Sequence, residues 1–239
     1  MKTLAITNTI GSTITRETDD GLFVKAGPEI GVAATKTFVS QVTTLVLFAT
    51  HLAQTRETIS PEVAADILAN LQQLPSAVQT VLDKESRLKR LAAEYADSDA
   101  FFFIGRGSAT PVALESALKL KEISYAHAEG FAAGELKHGP LALVTSETPV
   151  IAFLTAFSSQ QDTRNSVKEV EARGAPVIGM VTEDNDALFC THQIEIPALG
   201  RLEPLVANVA TQLFAYHVAD ALGRPIDKPR NLAKSVTVE

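Results

Sequence analysis

The chain has 239 residues, enough for one large domain or two small ones with a real core. Apolar residues make up 46% and charged residues 21%, a balance that excludes disordered and collagen-like classes. With 28 acids against 21 bases the net charge is −7, which disfavours a nucleic-acid backbone or an anionic membrane as partner.

At the start of the chain, Met1-Lys2 leads into a strand-like Leu4-Ala5-Ile6-Thr7, so no signal peptide is expected. A polar, Thr-rich segment runs from Asn8 to Asp20. Apolar residues at helical spacing (Val39, Val42, Val46, Ala49, Ala53) predict a long helix from about Glu29 to Gln54. Its most apolar stretch, Val42 to Ala53, carries Thr43, Thr44, Thr50 and His51 and does not span a bilayer. Ser60-Pro61-Glu62 is a helix start, a hydroxyl cap with proline at the first helical position. That helix is expected to break near Pro75. A second, charged helix covers Lys84 to Tyr95 and holds the longest basic cluster, Arg87-Leu88-Lys89-Arg90. Residues 59–97 read as a helical linker.

Beyond it the pattern alternates. Strands are expected at Phe101–Ile104, Val150–Leu154, Val177–Val181 and Ile194–Ile196, and helices at Pro111–Tyr125, Ser158–Arg173 and Leu205–Leu222. Short apolar strands alternating with helices predict an α/β fold, a three-layer αβα sandwich around a parallel sheet. Ligands in such sheets bind beyond the carboxyl ends of strands, which marks the Gly105–Ser108 loop and the loop after Leu154. One repeat is visible: Phe48-Ala49-Thr50-His51-Leu52-Ala53 matches Phe214-Ala215-Tyr216-His217-Val218-Ala219. It implies one complete α/β copy at 98–223 and the C-terminal half of another at 1–58, followed by a tail at 224–239.

Several residue groups are candidates for chemistry. At ~100° per residue, Glu115, Lys119 and Glu122 share an arc of roughly 60°, opposite Ala113, Ala117 and Leu120. Spacing alone reads this arc as a solvated face with pairs worth ~0.2–0.5 kcal/mol each. The sharper alternative is a lysine and a carboxylate one turn apart at a ligand site. His138, followed by Gly139-Pro140, sits on a turn that suits either ligand approach or an exposed loop. His51 and His127 read as packing or surface residues, and His217 as structural. The five histidines show no close-paired ligand spacing, so no metal is expected. Cys190 is the only cysteine, which rules out an internal disulfide and fits a reducing cytoplasm. In the tail, Pro229 limits flexibility, and Leu232, Ala233, Val236 and Val238 offer apolar docking groups. A docked tail would carry Lys234 to a partly desolvated place suited to Schiff-base chemistry; a frayed tail is the alternative.

Four segments together carry a resemblance. They are Ala26-Gly27-Pro28-Glu29-Ile30-Gly31-Val32-Ala33-Ala34-Thr35-Lys36, the run from Ala113 to Tyr125, the run from Gly134 to Leu143, and the run from Pro229 to Glu239. In order and in register, they resemble the isomerase half of the glucosamine-6-phosphate synthases, the glutamine–fructose-6-phosphate aminotransferases. The resemblance implies tandem sugar-isomerase (SIS) domains in a homodimer; no cofactor is expected, and the chain is expected in the cytoplasm. It implies conversion of fructose 6-phosphate plus ammonia into glucosamine 6-phosphate. Under it, Glu122 is the base moving a proton between C1 and C2, and Lys119 assists it. His138 helps to open the sugar ring and reaches the neighbouring subunit's site. Lys234 forms an imine with the keto sugar, Val32 and Ala233 line the sugar through backbone contacts, and Arg230 belongs to the tail shaping the ammonia route.

The chain also departs from that family. A glutaminase domain with its nucleophilic cysteine and the front half of the first SIS domain, with its phosphate-holding loop, are expected to be missing. Ser158-Ser159-Gln160-Gln161-Asp162-Thr163 is similar to that loop but lies in the second SIS domain, where a helix cap is the expectation. Position 34 is alanine where the family often has a sugar-contacting serine. Two functions follow: the isomerase part of the synthase, or a non-catalytic SIS module that binds sugar phosphate or dimerises.

Overall fold

A computed structural model of the chain describes residues 2–155, 160–182 and 189–235. Residues Met1–Gln72 with Lys234–Glu239 form one compact unit, and Gln73–Ala233 form another. In the first, β1 (Leu4–Thr7) pairs in parallel with β2 (Asp20–Phe23), Leu4 opposite Asp20 and Thr7 opposite Phe23. The connection between them carries a short helix, α1 (Thr13–Glu17). Neither β2 nor α1 is predicted by the sequence, because four residues of Asp-Gly-Leu-Phe are too few to show a period.

The next helix, α2 (Lys36–Thr55), begins seven residues later than the expected Glu29. Apolar spacing does not see the reason. Lys25 and Gly27 both have left-handed φ (52° and 71°), and Pro28 follows them. A chain turning in this way cannot already be helical. The helix α3 (Pro61–Asp83) starts as expected, with the Val63 N–H donating to Ser60 Oγ at 3.4 Å. It does not break at Pro75, contrary to expectation. Proline inside a helix costs about 3 kcal/mol, but Leu74, Ala77 and Val81 are buried on one stripe around it and offset that cost. The helix α4 (Glu85–Tyr95) buries Leu88, Leu91 and Ala92.

The second unit contains β3 (Ala100–Gly105), α5 (Ala109–Ser124), β4 (His127–Ala132), β5 (Val150–Leu154), α6 (Gln160–Glu171), β6 (Val177–Thr182), β7 (His192–Ile196) and α7 (Glu203–Ala221). Its five strands are all parallel, in the order β4-β3-β5-β6-β7. Both faces are covered, and strand alternation sorts the side chains. Phe102, Ile104, Val150, Ala152, Leu154, Val177 and Val181 cluster with Val167 and Val170 of α6. Phe101 points to the other face, edge to the Phe214 ring of α7 at 6.2 Å, where α5 and α4 also pack on α7. This is the expected three-layer αβα sandwich.

Strand β4 is the element that the sequence reading lacks. His-Ala-Glu-Gly-Phe-Ala is polar for a parallel strand because β4 lies at the sheet edge. Gly130 there admits α5: a Cβ would stand 2.6 Å from Leu114 Cα and 2.8 Å from Ala113 O. That close approach fixes the helix carrying Glu115, Lys119 and Glu122. Ser158 and Ser159 lie outside the described residues, as does most of the loop after Leu154. Among the described residues, no helix is long and apolar enough to cross a membrane.

Candidate functional site

Helix α5 buries Ala113, Ala117 and Leu120 as expected, but its other faces depart from a simple apolar-in, polar-out pattern. Leu114 and Leu118 are 52% and 41% exposed, whereas the Lys119 side chain is only 4% exposed. The reading of Glu115, Lys119 and Glu122 as a solvated face is therefore wrong. Lys119 Nζ lies 2.6 Å from Glu122 Oε2 and 3.4 Å from Glu115 Oε1, and the two carboxylates are 19% and 15% exposed. Removing a lysine from water is costly unless opposite charge meets it, and here two carboxylates share one ammonium. Burial pushes the Glu115 carboxyl above the usual carboxylate range. The Lys119 charge opposes that shift and the Glu122 charge adds to it.

Glu122 also lines a cavity of about 390 Å³ with Lys121, Tyr125, His127, Arg230 and Leu232. Arg230 is thereby beside Glu122 within one unit. His138 is exposed and ends a 3-10 turn, Ala133–His138, just before Gly139 at φ 146°. That turn is tied down by Ser166 Oγ donating to the Ala133 carbonyl at 3.0 Å and by a Lys137–Glu169 ion pair at 2.8 Å. His217 is buried on α7, with Nε2 3.1 Å from Glu85 Oε1, in keeping with its structural reading.

In the first unit, Lys234 Nζ donates to Glu29 Oε2 at 2.6 Å and lies 3.4 Å from the Val32 carbonyl. The tail lysine and the backbone at Val32 are thus brought together as the resemblance implies. Glu29 is an addition that the sequence reading missed. Its side chain is 8% exposed. It accepts from the Thr35 N–H at 3.0 Å, from the Thr37 N–H at 3.3 Å and from Thr37 Oγ1 at 2.6 Å, so it closes the open N–H groups at the start of α2. The loop before it is pinned by Asn8, which donates to the Gly27 carbonyl at 2.7 Å and accepts from the Ala26 N–H at 2.9 Å. A cavity of about 720 Å³ opens there, lined by Asn8, Glu29, Ala34, Thr37, Gln41 and Lys234. A carboxylate just ahead of a hydroxyl-rich helix start is the signal that would have found Glu29.

Burial works against ionisation of Glu29, but the hydrogen bonds from Lys234, Thr37 and Thr35 outweigh it and hold its carboxyl down at about 2. A carboxyl depressed in the folded state stabilises the fold fully above its ordinary value of 4.5. The contribution is lost as pH falls from there through the folded value. Denaturant unfolding between pH 5 and pH 2 is thus expected to show a steeper loss of stability for the wild type than for Glu29→Gln. Parallel curves would refute this cause.

The tail docks differently from the expectation. Pro229 is buried and Arg230 packs on Tyr125, whereas Leu232 is 46% exposed. Val236 and Val238 lie outside the described residues. Ala233 is exposed. Burial drives the Cys190 thiol up to about 12, with Glu171 adding to the shift, so Cys190 is a packing group and not a nucleophile. Among the described residues, no group of three or more His, Cys, Asp or Glu side chains is placed to hold a metal ion.

The profile of the SIS domain family matches residues 1–51 and 94–220. The glutamine–fructose-6-phosphate aminotransferase [isomerizing] of Halobacterium salinarum is 62% identical over 237 residues, covering 99% of this chain and 39% of that protein. The enzyme of the same name from Methanosarcina acetivorans is 49% identical over 242 residues, again 99% of this chain and 39% of the relative. Among solved structures, the C-terminal domain of glucosamine-fructose-6-phosphate aminotransferase from Francisella tularensis superposes with a TM-score of 0.91 at 34% identity. It covers 96% of this chain and 66% of that one. The chain thus spans about two fifths of the length of the curated relatives it matches.

Proposed function

Because the chain belongs to the SIS domain family, we propose that it is the sugar-isomerising part of a glutamine–fructose-6-phosphate aminotransferase. It would convert fructose 6-phosphate and ammonia into glucosamine 6-phosphate, the ammonia coming from glutamine in the full enzyme. The observation that carries this reading is the Lys119–Glu122 contact at 2.6 Å on a helix face that excludes most water. A carboxylate in contact with a captive ammonium is fixed in place and aimed, as transfer of a proton between adjacent carbons requires.

The steps follow from the chemistry of the groups. His138 assists opening of the sugar ring, reaching the site of a neighbouring subunit in a homodimer. The exposed Leu114 and Leu118 on α5 support a face that another protomer covers. The Lys234 amine attacks the C2 ketone of the open chain; water leaves and an imine forms, which makes the C1 hydrogens more acidic. Ammonia replaces the lysine at C2 and frees it. Glu122 takes a proton from C1 and returns it at C2 while the proton of the O1 hydroxyl passes to the imine nitrogen, leaving an amine on C2 and an aldehyde at C1. Lys119 offsets the charge changes on Glu122 during that transfer. Val32 and Ala233 hold the sugar through their backbone, and Arg230 shapes the ammonia route. We place the reaction in the cytoplasm, where a reduced thiol such as Cys190 and sugar phosphates coexist.

Isothermal calorimetry with fructose 6-phosphate and glucosamine 6-phosphate tests the substrate class. Saturable heat with both, and none with inorganic phosphate at equal concentration, is the expected result. No heat at millimolar sugar phosphate would remove the catalytic reading and leave a dimerisation module.

A further inference from the structure

Tyr125 lies just past the end of α5, three residues after Glu122, and does work that neither its sequence position nor the resemblance assigns. It is one of four non-glycine residues with positive φ, at 69°, among the described residues. A bulky side chain in the left-handed region is unfavourable unless its surroundings hold it there. What holds it is the C-terminal segment. The Arg230 N–H donates to Tyr125 Oη at 2.8 Å. The Arg230 guanidinium lies 4.3 Å from the centroid of the Tyr125 ring, and the Arg224 guanidinium lies 5.2 Å from the same centroid. Pro229, between these arginines in sequence, is buried.

We propose that Tyr125 is a positioning residue that clamps the C-terminal segment to the end of α5 through Arg230. Two guanidinium groups on one ring repel each other weakly, but each gains from the ring's negative face. The phenol oxygen satisfies a backbone N–H that the irregular segment leaves without a helical or sheet partner. The left-handed turn is part of the device. It ends α5 with the Tyr125 N–H donating to the Lys121 carbonyl at 3.3 Å and turns the ring toward the tail. The segment is thereby held at Arg230, next to the buried Pro229. The catalytic meaning of the clamp rests on the imine reading of Lys234, whereas its existence does not.

Amide hydrogen exchange on the chain, followed by mass spectrometry without sugar, tests the clamp on its own. Tyr125→Gly removes the ring yet suits the left-handed backbone. It is expected to speed exchange in peptides covering residues 226–235 by about tenfold, the effect one cation–π contact and one hydrogen bond support together. Peptides from β3, β5 and β6 should stay as protected as in the wild type. Tyr125→Phe keeps the ring and loses the oxygen, and should fall between the two. Tail exchange equal to the wild type in Tyr125→Gly would overturn the proposal. If Tyr125→Gly loosens the core as well, the decision passes to Tyr125→Phe and Arg230→Ala. Faster exchange confined to the tail supports the clamp there, and unchanged tail exchange refutes it. Reductive labelling of Lys234 with fructose 6-phosphate should slow in the order wild type, Phe, Gly. A wild type that is never labelled counts against the imine reading and leaves the exchange result to decide the clamp.

Discussion

Glu122→Gln is expected to slow exchange of the C1 hydrogen of fructose 6-phosphate with solvent deuterium by about 10³-fold, the middle of the range for a positioned general base. Glutamine keeps the size and hydrogen-bonding reach of the side chain but cannot accept the proton. Binding of fructose 6-phosphate should therefore change little, and the loss should appear in turnover and not in affinity. Lys119 stands 2.6 Å from this carboxylate, so the substitution also leaves its ammonium with Glu115 alone. NMR observation of the C1 signals in deuterium oxide reads the exchange directly. Exchange in Glu122→Gln within threefold of wild type (roughly 0.6 kcal/mol of barrier) would show that another group removes the proton.

The second large effect is on stability. Lys119→Met deletes the one ammonium shared by two mostly buried carboxylates. Removing one partner of a buried ion pair typically costs about 3–5 kcal/mol. Glu115 and Glu122 retain some exposure, which places the expected loss near the lower end, about 3 kcal/mol. Urea unfolding at neutral pH measures it. Adding Glu115→Gln to Lys119→Met should restore part of the stability, because it removes one of the two uncompensated charges. Strict additivity of the two substitutions would contradict a shared ion cluster.

What the sequence made legible follows from burial geometry. Phe101–Ile104, Val150–Leu154 and Val177–Val181 are apolar throughout because both faces of an inner parallel strand are covered, and such runs are visible without a period. Strand β4 is at the edge and carries Glu129 and Gly130, so its composition resembles a loop. Spacing correctly placed Glu115, Lys119 and Glu122 on one arc of α5, yet it could not say that this arc faces inward while Leu114 and Leu118 face out. Helical periodicity assumes that apolar groups turn inward. That holds for Ala113, Ala117 and Leu120, but Lys119 is buried as well because two carboxylates meet its charge, a pairing that periodicity does not weigh. Glu29 and Tyr125 escaped for a different reason. Their partners, Lys234 and Arg230, are 205 and 105 residues away in the chain, beyond any local pattern.

In the proposed reaction Lys234 is the amine that takes up the keto sugar while Glu122 of α5 is the base. Borohydride reduction of the chain incubated with fructose 6-phosphate, followed by peptide mapping, examines that role of Lys234 most directly. A single sugar adduct on Lys234, lost in Lys234→Arg, is the predicted result. An adduct on another lysine with Lys234 left unmodified would contradict the assignment.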